Sequence, residues 1–268
     1  MVKKFPTYFS AFELVPDEFK GSLFERAIPY YRKHDPLSDT IVLCFHGFTA
    51  VPYEIKVIAD AIFEKGMDVA TPLQPFHGYK DIEYQKRFIP KMKKDVMLYA
   101  AKLEISKARQ LYKNVFMYGQ SMGGCITLCM AGLGLVDAVA ATAPAIRIKP
   151  FSRFLAWTFS PFNLNIPKDE RKFDSPGYDF YNSRAAKELI KLTRFAQKNL
   201  ENITIPVFIA HSHNDPKING PIVINWMREK IKGSFTVKWY DECEHVIPLD
   251  VQKEEAASDI AEFFVSHR

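Results

Sequence analysis

No Cys-x-x-Cys pair occurs in the chain, and its four cysteines, Cys44, Cys125, Cys129 and Cys243, have no metal-site spacing. Cys44 lies in an apolar run, and Cys125 and Cys129 stand four apart on one face of an expected helix. They read as buried reduced thiols, which suit a reducing compartment. Long apolar runs are also missing. Nothing approaches the ~20 residues of a membrane span, and Met1 to Pro16 holds no apolar stretch of signal-peptide length. The expectation is a cytoplasmic protein with no stable membrane insertion. An excess of one charge is lacking too. Lys plus Arg number 36 against 31 Asp plus Glu, a net +5. Lys91, Lys93 and Lys94 are interleaved with Asp81, Glu83, Asp95 and Glu104, the pattern of a solvated helix face, so no nucleic-acid partner is expected. Internal repeats and low-complexity tracts are absent. What remains is 268 residues, 47% hydrophobic and 25% charged, enough for one large domain or two small ones.

The apolar pattern alternates strand with helix. Phe24 to Lys33 has strand character, and Thr40 to Phe45 is a continuous apolar run, as in a strand covered on both faces. Pro52 starts a helix to Lys65, with Ile55, Ile58, Ala59 and Ile62 on one face, and Gly66 stops it. A strand over Met67 to Thr71 follows. Then comes a helical stretch from Ile82 to Tyr112, kinked at Pro90. Later strands are expected at 114–118, 137–142, 205–211 and 235–240, and helices at 124–131, 183–200, 221–231 and 251–266. Such alternation implies a mostly parallel, doubly wound sheet. Residues 1–23 read as an irregular lead-in. From Pro144 to Asn182 the alternation stops and aromatics and prolines crowd in, so 1–143 and 183–268 form the core and 144–182 a cap insertion.

The chain is organised around Gly119-Gln120-Ser121-Met122-Gly123, between the strand ending at Tyr118 and the helix starting at Gly124. Strand, tight turn with Ser at the apex, helix: this is the layout of a nucleophile elbow. Side chains at Gly119 and Gly123 would collide with neighbouring backbone, and the serine hydroxyl stands beside the positive end of the helix. Ser121 also reads as a simple helix N-cap, but the two flanking glycines argue otherwise.

A serine hydroxyl is a poor nucleophile unless a base takes its proton and an acid orients that base. Of seven histidines, His34, His46 and His77 precede the elbow, His211 and His213 sit beside the acid candidate, and His267 is the next-to-last residue. His245 lies in the loop between the last strand and the last helix. Asp215 follows the strand 205–211, at the carboxyl edge of the sheet, where ligands bind in open α/β sheets. Asn214 carries no charge and Asp241 precedes the end of its loop. The expected triad is Ser121, Asp215 and His245, in the order serine, acid, base. Two backbone N–H groups must meet the developing oxyanion. Met122, just after the serine, supplies one, and Phe48, in the loop His46-Gly47-Phe48 after the first long strand, supplies the other. Gly47 lets the backbone come close, and His46 reads as an organiser of that loop.

The stretches His46-Gly47-Phe48-Thr49, His77-Gly78 and Gly-Gln-Ser-Met-Gly-Gly, with Asp215 and His245, resemble the bacterial carboxylesterase and monoacylglycerol lipase family of α/β-hydrolases. The resemblance covers about 40–142 and 183–268. It implies an α/β-hydrolase fold with a short cap, a small-molecule ester or lipid-like substrate, and no cofactor or metal. The loop Asp215-Pro216-Lys217-Ile218-Asn219 departs from the family's Asp-x-x-Val-Pro-Pro in its last two positions. The serine aminopeptidases share the core, but the cap shows no clear acidic pair to hold a substrate α-amine.

The expected activity is hydrolysis of small to medium carboxylic esters, including monoacylglycerols, through an acyl-enzyme on Ser121. Thioesterase, amidase or acyltransferase chemistry would use the same residues, and a non-catalytic ligand-binding relative is the alternative from another class. Serine rather than aspartate at the elbow argues against an epoxide hydrolase or dehalogenase. Phe151, Phe154, Trp157 and Phe159 are candidates for an apolar wall around an acyl chain; a purely structural packing of the cap accounts for them as well.

Overall fold

The computed structural model describes residues 8–169 and 172–268. In chain order it contains α1 (Asp17–Lys20), β1 (Tyr30–Arg32), β2 (Thr40–Phe45), α2 (Lys56–Glu64), β3 (Asp68–Thr71), α3 (Ile82–Phe88), α4 (Lys94–Arg109), β4 (Asn114–Gln120), α5 (Met122–Gly132) and β5 (Ala138–Thr142). The second part adds α6 (Pro150–Phe159), β6 (Asn165–Pro167), β7 (Phe180–Asn182), α7 (Ser183–Asn199), β8 (Val207–His211), α8 (Gly220–Lys230), β9 (Phe235–Trp239) and α9 (Lys253–Val265). Seven strands form one sheet in the order β1-β3-β2-β4-β5-β8-β9. All its pairings are parallel except the edge pair β1–β3. This is the α/β-hydrolase architecture.

The central strands are continuous apolar runs because both faces are covered. Along β2, Ile41, Leu43 and Phe45 enter a core shared with α4, α5, α7 and α8, while Val42 and Cys44 enter a second core shared with α2 and α9. Successive side chains point to opposite faces, so a strand between two helical layers needs apolar residues at every position. All four cysteines are buried and unpaired. Among the described residues, no helix is long and apolar enough to cross a membrane.

Three expectations change. Phe24 to Lys33 is a strand only at Tyr30–Arg32; a 3-10 turn occupies Glu25–Ala27. The stretch from Ile82 is broken rather than kinked. Pro90 sits in a 3-10 turn, Ile89–Lys91, and α4 starts afresh at Lys94. A proline lacks the N–H for the next helical bond, and its ring opposes the preceding turn. The segment 144–182 contains a helix, α6, and a two-stranded ladder, β6–β7. Pro150 hides the helix start from an alternation-based reading, yet proline suits a first helical position, where its missing N–H has no partner to lose. Of the lead-in, residues 1–7 lie outside the described residues; Phe9 bridges to Leu73, and α1 is one short turn.

Candidate active site

β4 ends at Gln120 and α5 starts at Met122, so Ser121 alone makes the turn. Its backbone adopts φ 51° and ψ −106°, a conformation that costs a non-glycine residue on the order of 1–3 kcal/mol. The surroundings enforce it. Ser121 N–H donates to Thr142 O at 2.9 Å, and Ser121 O accepts from Cys125 N–H at 3.0 Å and Ala145 N–H at 2.9 Å. The flanking glycines are steric necessities. A Cβ at Gly119 would lie 2.2 Å from the Gly123 carbonyl carbon, and one at Gly123 would lie 2.0 Å from Phe45 O.

The structure brings together the three residues expected from sequence. His245 Nε2 lies 2.9 Å from Ser121 Oγ. His245 Nδ1 lies 2.7 Å from Asp215 Oδ2. The other carboxylate oxygen of Asp215 accepts the N–H groups of Lys217 and Ile218 at 2.7 and 3.0 Å. Burial pushes the Asp215 carboxyl up, but the His245 bond, the imidazole charge and the two N–H groups outweigh it and hold the carboxyl below its usual value. The aspartate is therefore an ionised acceptor, and with its carboxylate on Nδ1 the neutral imidazole carries its proton there and turns a lone pair to the serine. Gln120 fixes the loop that carries His245, donating from Nε2 to His245 O at 2.8 Å. The alternative acid, Asp241, instead pairs with His213 on the surface.

Phe48 follows β2 in the loop facing the elbow, and Met122 opens α5 directly behind Ser121. Among the described residues, neither backbone N–H meets a protein acceptor. His46 organises this loop, as its sequence position suggests. Its Nδ1–H donates to Gly47 O at 2.9 Å, and its Nε2 accepts the Gln74 N–H at 3.1 Å. This arrangement needs a neutral ring, and burial holds the imidazole well below its usual value.

Sequence reasoning missed Glu54. Its Oε2 accepts the Gly47 N–H at 2.6 Å, and the residue borders the cavity beside Ser121 while only 8% exposed. Burial lifts its carboxyl to about 7, against the pull of the Gly47 N–H and of the Lys168 and Lys217 ammonium groups. Two residues after Pro52, Glu54 reads in sequence as an ordinary first-turn acid facing a helix N-terminus. Its only legible signal is closeness to the His46–Phe48 loop.

The hydroxyl of Ser121 opens into a cavity of about 710 Å³, within the range of small-molecule sites. Of the aromatics in 144–182, Phe173, Tyr178 and Tyr181 border it, but the four expected from sequence do not. α6 turns Ser152, Leu155 and Ala156 toward the cavity, one helical face at i, i+3 and i+4. Phe151, Phe154, Trp157 and Phe159 fall on other faces and are not among the lining residues; Phe151 and Phe154 are 71% and 64% exposed. The apolar wall comes instead from Leu155, Ile166, Leu189, Ile190 and Leu249, together with Phe48, Phe173, Tyr178 and Tyr181. The double variant F151S/F154S is accordingly expected to hydrolyse a soluble short-chain ester with kcat/KM within about twofold of wild type, since exposed substitutions cost little. A tenfold loss at unchanged melting temperature would return these rings to the binding site.

A family model described as serine aminopeptidase, S33, matches residues 37–175, a span that includes the His46 loop and the elbow. A carboxylesterase of Bacillus subtilis (strain 168) is 24% identical over 234 residues, covering 84% of this chain and 92% of the relative. A thermostable monoacylglycerol lipase of Bacillus sp. (strain H-257) is 26% identical over 266 residues, covering 90% and 95%. Among solved structures, one from work on two metagenome-derived lipolytic enzymes, LipS and LipT, superposes with a TM-score of 0.82 at 23% identity, covering 91% of this chain and all of that one.

Proposed function

The chain belongs to the serine aminopeptidase S33 family, and from that premise we propose that it is a carboxylic ester hydrolase working through an acyl-enzyme on Ser121. The observation that carries this reading is the continuous line of contacts from Asp215 through His245 to Ser121, at the mouth of a mostly apolar cavity. His245 takes the Ser121 proton as Oγ attacks the ester carbonyl, and Asp215 holds the imidazole in the required tautomer and stabilises its cation. The N–H groups of Phe48 and Met122 receive the tetrahedral oxyanion. Collapse expels the alcohol, protonated by His245. Water, activated by the same base, then releases the acid.

The substrate reading is an ester of small to medium size with an aliphatic acyl chain, including monoacylglycerols. The segment 144–182 acts as a cap, supplying Leu155 and Ile166 to the wall, and α7 supplies Leu189 and Ile190. Peptide substrates with a free α-amine suit the cavity less. Lys149, Lys168, Lys172 and Lys217 border it against Glu54, Asp169 and Glu244, so no net negative field awaits a cation. A rate series on p-nitrophenyl esters tests this. Each methylene taken into an apolar pocket is worth roughly 1–3 kcal/mol at best, so kcat/KM is expected to climb with acyl length before levelling when the wall is filled. Fastest turnover of the acetyl ester, with no gain as the chain lengthens, would sink the lipid-ester reading while leaving ester hydrolysis intact.

A further inference from the structure

Gly47 is held from both sides. Its N–H, part of the His46–Gly47 peptide, donates to Glu54 Oε2 at 2.6 Å. Its carbonyl accepts His46 Nδ1–H at 2.9 Å. That carbonyl and the Phe48 N–H belong to one planar peptide unit, so fixing the direction of the C=O also fixes the direction of the N–H. The two contacts set the torsions on either side of the Gly47 Cα. Without the Glu54 contact the N–H side of Gly47 is unheld, only the His46 and Ala50 contacts on its carbonyl remain, and glycine pivots more readily than any other residue.

The loop needs such restraint. Thr49, two residues on, sits at φ 64°, a left-handed conformation unfavourable for a β-branched side chain. It is kept there by the cap segment, where Tyr178 N–H donates to Thr49 O at 2.9 Å. A Cβ at Gly47 would lie 2.9 Å from Glu54 Oε2, so a larger residue there would push this carboxylate aside.

We infer that Glu54 is a positioning residue for the oxyanion site, whose side-chain acceptor, at glutamate reach, holds the Gly47 N–H and thereby aims the Phe48 N–H at the reacting carbonyl oxygen. This rests on the reading of Ser121 as nucleophile. The role belongs to an acceptor at a set distance, and not to charge. Gln keeps an acceptor oxygen at the same reach without the charge. Asp keeps the charge but falls one methylene short of Gly47. Leu removes the acceptor and fills the space.

The experiment compares E54Q, E54D and E54L with wild type on one soluble ester, measuring kcat and KM separately, together with inhibition by a trifluoromethyl ketone whose adduct on the serine mimics the oxyanion. Removing a whole oxyanion donor costs about 10²–10³ in kcat, so misaiming one is expected to cost roughly 10- to 100-fold. E54Q is expected within about threefold of wild type. E54D and E54L should lose kcat with KM nearly unchanged, and ketone affinity should fall by the same factor as kcat. Should E54L fail to fold, E54D against E54Q still decides. The role is overturned if E54D keeps the kcat of E54Q, or if losses appear in KM with kcat and ketone affinity preserved. A ketone that does not inhibit the wild-type enzyme would overturn the Ser121 reading itself.

Discussion

S121A should reduce turnover of any ester substrate by about 10⁵- to 10⁶-fold while leaving the fold intact, because nucleophile and base act as a unit and removing either removes both. The hydroxyl contributes little to folding. Its hydrogen bond is to His245 Nε2, and the elbow is held by backbone bonds to Thr142, Cys125 and Ala145 that alanine preserves. Alanine carries the same strain at φ 51° as serine, so the melting temperature should move by no more than a few degrees. Wild type should be labelled by a fluorophosphonate at Ser121, and S121A should not. Unchanged esterase activity in folded S121A would refute the nucleophile assignment and turn attention to a ligand-binding role for the cavity.

Much of this site was legible because its parts are local. The elbow is set by five consecutive residues whose glycines answer to collisions of about 2 Å with Phe45 and Gly123 backbone, and a collision of that kind leaves its mark in sequence as an absent side chain. Asp215 and His245 were placed by chain order and by the rule that loops at the carboxyl ends of parallel strands meet at the site; β8 and β9 end within a few residues of them. What escaped was decided by contact between distant segments or by the facing of a single helix. The aromatics of 144–182 are plain in sequence, but only the phase of α6 determines that Leu155 turns inward and Phe154 outward. Glu54 escaped because its partner is a backbone N–H, which has no letter in the sequence. The break at Pro90 was visible, but a kink and a full interruption look alike in sequence; here the second helix starts only at Lys94, after a 3-10 turn.

The sharpest separation of function from sequence position comes from two aspartates, each hydrogen-bonded to a histidine at the same edge of the sheet. D215N should lower kcat by about 10⁴-fold, and D241N should leave it within about twofold. Asn at 215 still offers its oxygen to the Lys217 and Ile218 N–H groups, so the loop keeps its shape. Its NH₂, however, faces His245 Nδ1 in place of the carboxylate oxygen. The imidazole must then carry its proton on Nε2, pointing at Ser121, and cannot accept one from the hydroxyl. Nor does the amide stabilise the imidazolium that forms in the transition state. Asp241 differs in surroundings rather than in chemistry. Its side chain is 53% exposed, and so is much of His213, and solvent screens such a pair to little consequence. The stability effects should differ in the same sense. The lowered Asp215 carboxyl contributes stability that is fully present above its ordinary value and is lost as pH falls through its lowered one. D215N therefore abolishes that part of the acid dependence of folding, which urea titrations at a series of acid pH values would detect. Equal kinetic losses in the two variants, or a D215N enzyme within tenfold of wild type at neutral pH, would remove Asp215 from its role as the orienting acid.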